Sequence, residues 1–266
     1  MAHPQIATFA RLAKENSKPA RVLAGQMTKL SRTMHMIAYD SLHDEFVVSN
    51  PFSQAVLTFR GSANGEEPPI RVIQGPSTGM DAPDKFAIDP VHNEIFVPLR
   101  DKILVFPRLA NGDAAPIRTM HGDWDVSDMD ADPVHNLIVA NGSVAGQGRG
   151  IVMFNRSDSG EVKPRAVISG SHTGMETIKQ LVVYPEKGYI FVYQSLPNNE
   201  LKPGAYFVGV WSINDNGNVP PRWKIGGPKS ELIRPRGVAL NLKHKEVMVP
   251  DMLRNAVLTY YLPELF

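Results

Sequence analysis

Pro69-Ile-Arg-Val-Ile-Gln-Gly75, then a short linker, then Phe86-Ala-Ile-Asp-Pro-Val-His-Asn-Glu-Ile-Phe-Val97: this stretch decides the fold, because versions of it return along the whole chain. Pro116–Gly122 leads into Met129–Val139, Pro164–Gly170 into Leu181–Val192, and Pro221–Gly227 into Val238–Val249. A first copy runs from Pro19–Gly25 into Ile37–Val48. The position of Asp89 is held by Asp40, Asp132, Tyr184 and Asn241 in the other copies. That spacing, roughly 43 to 57 residues, is the length of a propeller blade.

Working outward, each copy contains four short runs rich in Ile, Val and Phe, bounded by Pro, Gly, Asn or Asp. In the second copy they are Phe86–Ile88, Glu94–Val97, Ile103–Phe106 and Ile117–Met120. This is the pattern of strands separated by turns. Asn64-Gly65, Asn111-Gly112, Ser159-Gly160 and Asn216-Gly217 recur between the third and fourth runs, where a tight turn needs residues that tolerate positive φ. No stretch has helical periodicity over ten residues or more. Small residues on the first run (Ala38, Ala87, Ala131, Ala239) suit a crowded axis where sheets converge.

A four-stranded sheet that is apolar on both faces must be covered by its neighbours, and radial closure covers the last one. The expectation is therefore all-β: a single β-propeller domain over residues 1–266, built of four-stranded blades. Five complete inner pairs predict five blades, with the ring closed by the terminal strands. Ala7–Ala10 and Arg21–Leu23 match third and fourth strands, and Val257–Tyr261 matches a third strand. A six-bladed ring lacking part of a blade is the alternative.

The pattern of strand, Asp-Pro, turn, strand, Phe-x-Arg and Asn-Gly resembles the NHL-type repeats of bacterial six-bladed propellers, and it covers nearly the whole chain. The resemblance implies a propeller whose relatives include lyases, lactonase-like hydrolases and binding modules. Such hydrolases hold a metal with Glu and Asn from inner strands, and no inner-strand Glu can be placed here. Multi-histidine lyase sites find no match either, and the five inner pairs depart from the family's six blades.

Composition narrows the function. The 266 residues carry 28 Lys and Arg against 27 Asp and Glu, a net charge of +1, without the clustered basic face that nucleic acid requires. The absence of cysteine excludes disulfides, thiolate metal sites and cysteine nucleophiles. No apolar run approaches the ~18 residues of a membrane span. The first residues lack a charged-then-apolar leader, so a soluble protein is expected, and export would require a signal peptide absent from this sequence.

The loops into the first strands and the loops out of the second share one face of a propeller. His35, Asp84, Lys85, Ser127, Asp128, Lys179, Gln180 and Arg236 lie on the former; Asn50, Arg100, Asn141, Gln194 and Asp251 lie on the latter. A polar ring with both signs of charge suits a small molecule or a protein partner. For catalysis, His35 or Asp128 would be the base, and Lys179 or Arg236 would stabilise developing negative charge. Asp84, Lys85, Asn141, Gln180, Gln194 and Asp251 are the expected ligand contacts.

Departures from the repeat point to the same face. His121–Asp132 carries extra carboxylates at Asp123, Asp125, Asp128 and Asp130. Asp130 replaces a small residue on an inner strand, where a carboxylate needs a partner: Lys85, Lys179, Arg236, or a divalent cation such as calcium held with Asp128. Gly142–Gly150 reads as too flexible for a strand, a loop able to close over a ligand. Gln194–Ala205 reads as an insertion. His43, His92, His135 and His244 occupy one repeated turn position and read as structural, and Trp124 reads chiefly as packing. Nothing resembles a nucleophile elbow or a zinc-protease motif. Binding without catalysis is the first expectation, and a hydrolase or lyase at the same mouth is the alternative.

Overall fold

The computed structural model describes residues 4–32, 34–196 and 205–266, so most of the insertion expected at Gln194–Ala205 lies outside the described residues. Among the described residues every element is a β-strand or a short 3-10 turn. The chain divides into two compact units: Met1–Leu99 with Leu104–Arg118, and Arg100–Ile103 with Thr119–Phe266.

In the first unit, β1 (Gln5–Thr8) pairs antiparallel with β2 (Arg21–Ala24). The first of these lies slightly upstream of the expected Ala7–Ala10. A four-stranded antiparallel sheet follows in sequence order: β3 (Ile37–Asp40), β4 (Glu45–Asn50), β5 (Ala55–Arg60) and β6 (Arg71–Ile73). Then β7 (Ala87–Asp89) pairs with β8 (Glu94–Pro98), and the chain continues through β9 (Arg100–Pro107). Every residue of β4 is buried, as expected of a strand covered on both faces. Alternate side chains divide between two clusters. Phe46, Val48, Leu57 and Phe59 pack with Leu23, while Val47 and Val56 pack with Phe86, Ile95 and Phe106.

In the second unit, β10 (Arg118–Asp132), β11 (Leu137–Val144), β12 (Gly148–Asn155) and β14 (Ala166–Ser169) are consecutive neighbours. The two-residue β13 (Gly160–Glu161) runs parallel to Met120–His121 of β10. A second sheet runs β15 (Thr177–Tyr184), β16 (Tyr189–Ser195), β17 (Phe207–Ser212) and β18 (Trp223–Gly226). A third has three strands, β19 (Ala239–Asn241), β20 (Glu246–Asp251) and β21 (Ala256–Tyr261). Val139, Ile190 and Val192 belong to one core cluster, and Phe191, Val247 and Val249 to the next.

The repeated turn explains the repeated Asp and His. Asp40 Oδ1 accepts from the amides of Leu42 and His43, and Asp40 Oδ2 meets the His43 ring at 2.8 Å. Asp89 with His92 and Asp132 with His135 repeat the arrangement at 2.7 and 2.9 Å. A carboxylate that accepts backbone donors locally favours a turn over further strand. These histidines are structural, as their repetition predicts.

The Asn-Gly signals have a second role. The Asn64, Asn111 and Asn216 side chains accept from the amides of Val22, Val72 and Val167 on the outer strand of the preceding repeat. The following glycine bonds the same strand: Gly112 N donates to Val72 O at 2.6 Å, and Gly112 O accepts from Gln74 N at 3.0 Å. With φ at 68°, Gly112 adopts a conformation costly for other residues.

Two expectations are corrected. Ser127 and Asp128, expected on a loop into the first strand, instead lie within one continuous strand, with Trp124, Val126 and Asp128 buried and Asp123, Asp125 and Ser127 exposed. Gly142–Gly150 is not a flexible loop either. Gly142 pairs with Gly150, Ser143 with Arg149 and Val144 with Gly148 across a hairpin. These glycines answer to crowding: a Cβ on Gly142 would lie 2.4 Å from Asp125 O, and one on Gly150 would lie 2.0 Å from Ile168 O.

Candidate functional site

Each unit gathers its own set of the expected residues. In the first, His35 lies just before β3, and Asp84 and Lys85 just before β7. The His35 Nδ1 meets Asp84 Oδ1 in a close contact, and Lys85 Nζ donates to the His35 carbonyl at 2.9 Å. Ser49 Oγ, near the end of β4, donates to Asp84 O at 2.8 Å and fixes the backbone beneath the carboxylate. The neighbouring Asn50 donates to Lys29 O at 2.9 Å and accepts from Ser31 Oγ at 2.7 Å. His35 and Asp84 are 54% and 55% exposed, so the pair faces solvent.

A carboxylate at Nδ1 favours the tautomer protonated there and leaves Nε2 as an acceptor. The set can therefore offer a cation, an oriented imidazole and a carboxylate to something that arrives from solvent. Among the described residues, no serine or threonine hydroxyl bonds the imidazole, so an activated nucleophile is not assembled.

In the second unit, β-bulges fall at equivalent places on two inner strands. The register of β10 on β11 shifts between Val126 and Asp128, and that of β15 on β16 shifts between Ile178 and Gln180. Ser127 and Lys179 are thus the extra residues, both exposed. Bulges re-aim side chains, and here they alter the strand alternation beside the expected site residues.

The buried polar groups of this unit bind backbone. Asp128 Oδ2 accepts from Leu181 N at 2.8 Å. Asn141 Nδ2 donates to Ile178 O at 2.9 Å and to Ser127 Oγ at 3.1 Å. Gln194 Oε1 accepts from the amides of Glu176 and Thr177, and Gln180 Oε1 accepts from Val238 N at 3.1 Å. Asp251 accepts from four amides, those of Ile233, Arg234, Leu253 and Arg254. Burial pushes the Asp251 carboxyl up, but those donors outweigh it and hold the group below the usual carboxylate range. Arg236 donates its own amide to Pro250 O at 2.8 Å, and its charge, with that of Arg234, acts on the buried Tyr193. Burial is the main cause that raises the Tyr193 phenol.

Asp130 departs from its expected partners. Its Oδ2 accepts from Val183 N and its Oδ1 from Ala131 N, so backbone amides take the place of an ammonium or guanidinium group. Desolvation is the largest influence and raises its pKa to about 6. Among the described residues no three His, Asp or Glu side chains are grouped closely enough to hold a metal ion. Trp124 packs: its Nε1 donates to Val162 O at 2.9 Å and its ring lies 4.9 Å from Phe154.

The structure thus brings His35, Asp84 and Lys85 together in one unit. In the other it ties Asp128, Asn141, Gln180, Gln194 and Asp251 into backbone networks. Sequence reasoning missed Ser49 and Tyr193, and its one available signal was their position near the ends of second strands.

No protein-family model matches the chain, and no curated protein matches it in sequence. Solved structures do resemble it. Kuenenia stuttgartiensis hydrazine synthase superposes over 93% of this chain and 68% of its own, with TM-score 0.62 and 18% identity. The β-propeller domain of Myceliophteria thermophila Cps50 (Swd1) covers 88% of this chain and 67% of its own, with TM-score 0.57 and 10% identity. A chain of the Mitotic Checkpoint Complex covers 92% and 67%, with TM-score 0.60 and 12% identity. Identities this low speak to fold alone, and the fold class is the β-propeller. No described helix is long and apolar enough to cross a membrane.

Proposed function

We propose that this chain is an NHL-type propeller that binds a partner protein through the charged face where first strands begin, with His35, Asp84 and Lys85 as its anchor. The observation that carries this reading is a division of labour. The buried polar residues of the second unit are engaged with backbone, while in the first unit the exposed His35–Asp84–Lys85 set faces solvent with donors and an acceptor. Fixed polar groups on a rigid strand scaffold suit recognition. One fold neighbour comes from an assembly, the Mitotic Checkpoint Complex, which agrees with a propeller that serves as a docking platform.

The partner chemistry that fits is an acidic segment, since Lys85 lies at the His35 carbonyl and Lys29 and Arg32 precede His35 in the chain. Titration of the 15N-labelled protein with a glutamate-rich peptide should shift amides at 29–35 and 84–85. Lys85→Ala should weaken that binding about fivefold, the loss of one charge-assisted contact of about 1 kcal/mol. Shifts elsewhere only, or none, would refute the anchor.

One observation favours a second reading: an imidazole oriented by a carboxylate is also the arrangement of a general base. In that reading a lactone or aryl ester is hydrolysed by water that His35 Nε2 deprotonates. Turnover that vanishes in His35→Ala, without loss of fold, would select it.

A further inference from the structure

We propose that the second unit carries an anion site, built by Arg234 and Arg236 beside Tyr193, that takes the phosphate group of a small phosphate monoester. The inference is independent of the His35 set, which belongs to the first unit.

A short extended segment brings the two arginines to one side. Pro235 forms an antiparallel bridge with Asp251, Arg236 N donates to Pro250 O at 2.8 Å, and Met252 N donates to Arg234 O at 3.0 Å. In an extended chain alternate side chains share a face, so Arg234 and Arg236 point together while the buried Pro235 points the other way. The segment is held at both ends. Asp251 Oδ2 accepts from the amides of Ile233 and Arg234, each at 2.8 Å, and Gln180 Oε1 accepts from Val238 N at 3.1 Å. That last bond ties it to β15, where Gln180 stands opposite Tyr193 of β16 in the strand register. The charges of both arginines act on the Tyr193 phenol, which puts their shared face on the β16 side, within the same unit.

The wall they stand against is dry. Tyr193 is 1% exposed and clusters with Leu196, Val208 and Val238. Burial raises its phenol, while the Ser195 hydroxyl and the two guanidinium charges work against that. A charge set against such a wall is screened weakly.

What distinguishes this pair is the lack of a counter-charge. Arg71, Arg118 and Arg222 each hold a carboxylate, those of Glu45, Glu94 and Asp215. Among the described residues neither Arg234 nor Arg236 has an ion-pair partner, and Arg234 Nε is buried without a hydrogen-bond acceptor. The Nε atoms of Arg71 and Arg118 are bare in the same way, but the terminal nitrogens of those residues are satisfied by glutamate. Asp251, at the bridge, is committed to four backbone amides. Two guanidinium groups on one face suit a dianion, since a single carboxylate would leave one charge uncompensated. Their planar forks also match phosphate oxygens two at a time. Arg236 is exposed and Arg234 half-buried, so the group reaches them from solvent.

Titration of the 15N-labelled full chain with inorganic phosphate, at an ionic strength held constant with chloride, tests this. Amides at 193–195, 233–234 and 236–238 should shift together and saturate. Acetate should bind about tenfold more weakly. Arg236→Gln, at an exposed position, should keep the spectrum unchanged away from the site and weaken phosphate about tenfold, the loss of one charge-assisted contact. Lys163→Gln removes the same charge from another exposed position of this unit and should bind phosphate like the wild type. Shifts that never saturate, shifts spread over the surface lysines, acetate bound as tightly as phosphate, or equal behaviour of the two variants overturns the proposal.

Discussion

Asp130 is the residue at which the chain departs most from its own repeat, since the matching positions carry no carboxylate. Its two hydrogen bonds come from neutral amides, which do not repay the loss of water around the charge, and the pKa rises from 3.8 to about 6. The folded state therefore binds this proton more tightly than the unfolded chain. Its stabilising effect is full below pH 4 and is lost as pH climbs through 6, with a ceiling of about 3 kcal/mol. Asp130→Asn removes the titration. The stability of wild type minus variant, from urea denaturation, should fall between pH 4 and pH 7, and a flat difference would contradict the raised pKa. The sequence marks Asp130 as anomalous because it breaks a repeat. It conceals the partner, because the Val183 amide lies 53 positions away on another strand and amides have no sequence signature.

At the scale of the element, repetition was readable because each strand ends on a turn with its own chemistry. The Asp-x-x-His cap and the Asn-Gly turn both announce themselves in sequence and both form. The hairpin at Gly142–Gly150 was misread because glycine serves two opposite ends, freedom and close approach, and only the neighbouring backbone distinguishes them. The outer-strand arginines are a further case. Arg118 clamps Glu94 through two bonds, at 2.5 and 2.8 Å, under little solvent exposure, and Glu45 accepts one bond each from Arg71 and Arg108 in a similarly covered place. Breaking such a pair leaves a charge in a dry site. Glu94→Ala should cost about 3–5 kcal/mol in denaturant unfolding. Glu67→Ala, which breaks the exposed pair with Arg60, should leave the midpoint almost unmoved. Equal effects would mean that the Glu94 pair is solvated after all.

For the molecule as a whole, stability in a repeat chain is set by what each sheet has on either side, so it should fall toward the ends. The third strands make this visible. In β17 every residue is buried; in β21, at the same place in its repeat, none is. The second strands stay largely buried throughout, β20 included. Local opening should follow that pattern, since amides with few buried neighbours exchange through small fluctuations. Native-state hydrogen exchange should find the slowest amides in β11 and β16, near Val139 and Val192, and the fastest in β1 and β21. Uniform protection from end to end would mean that the terminal sheets are covered in dilute solution.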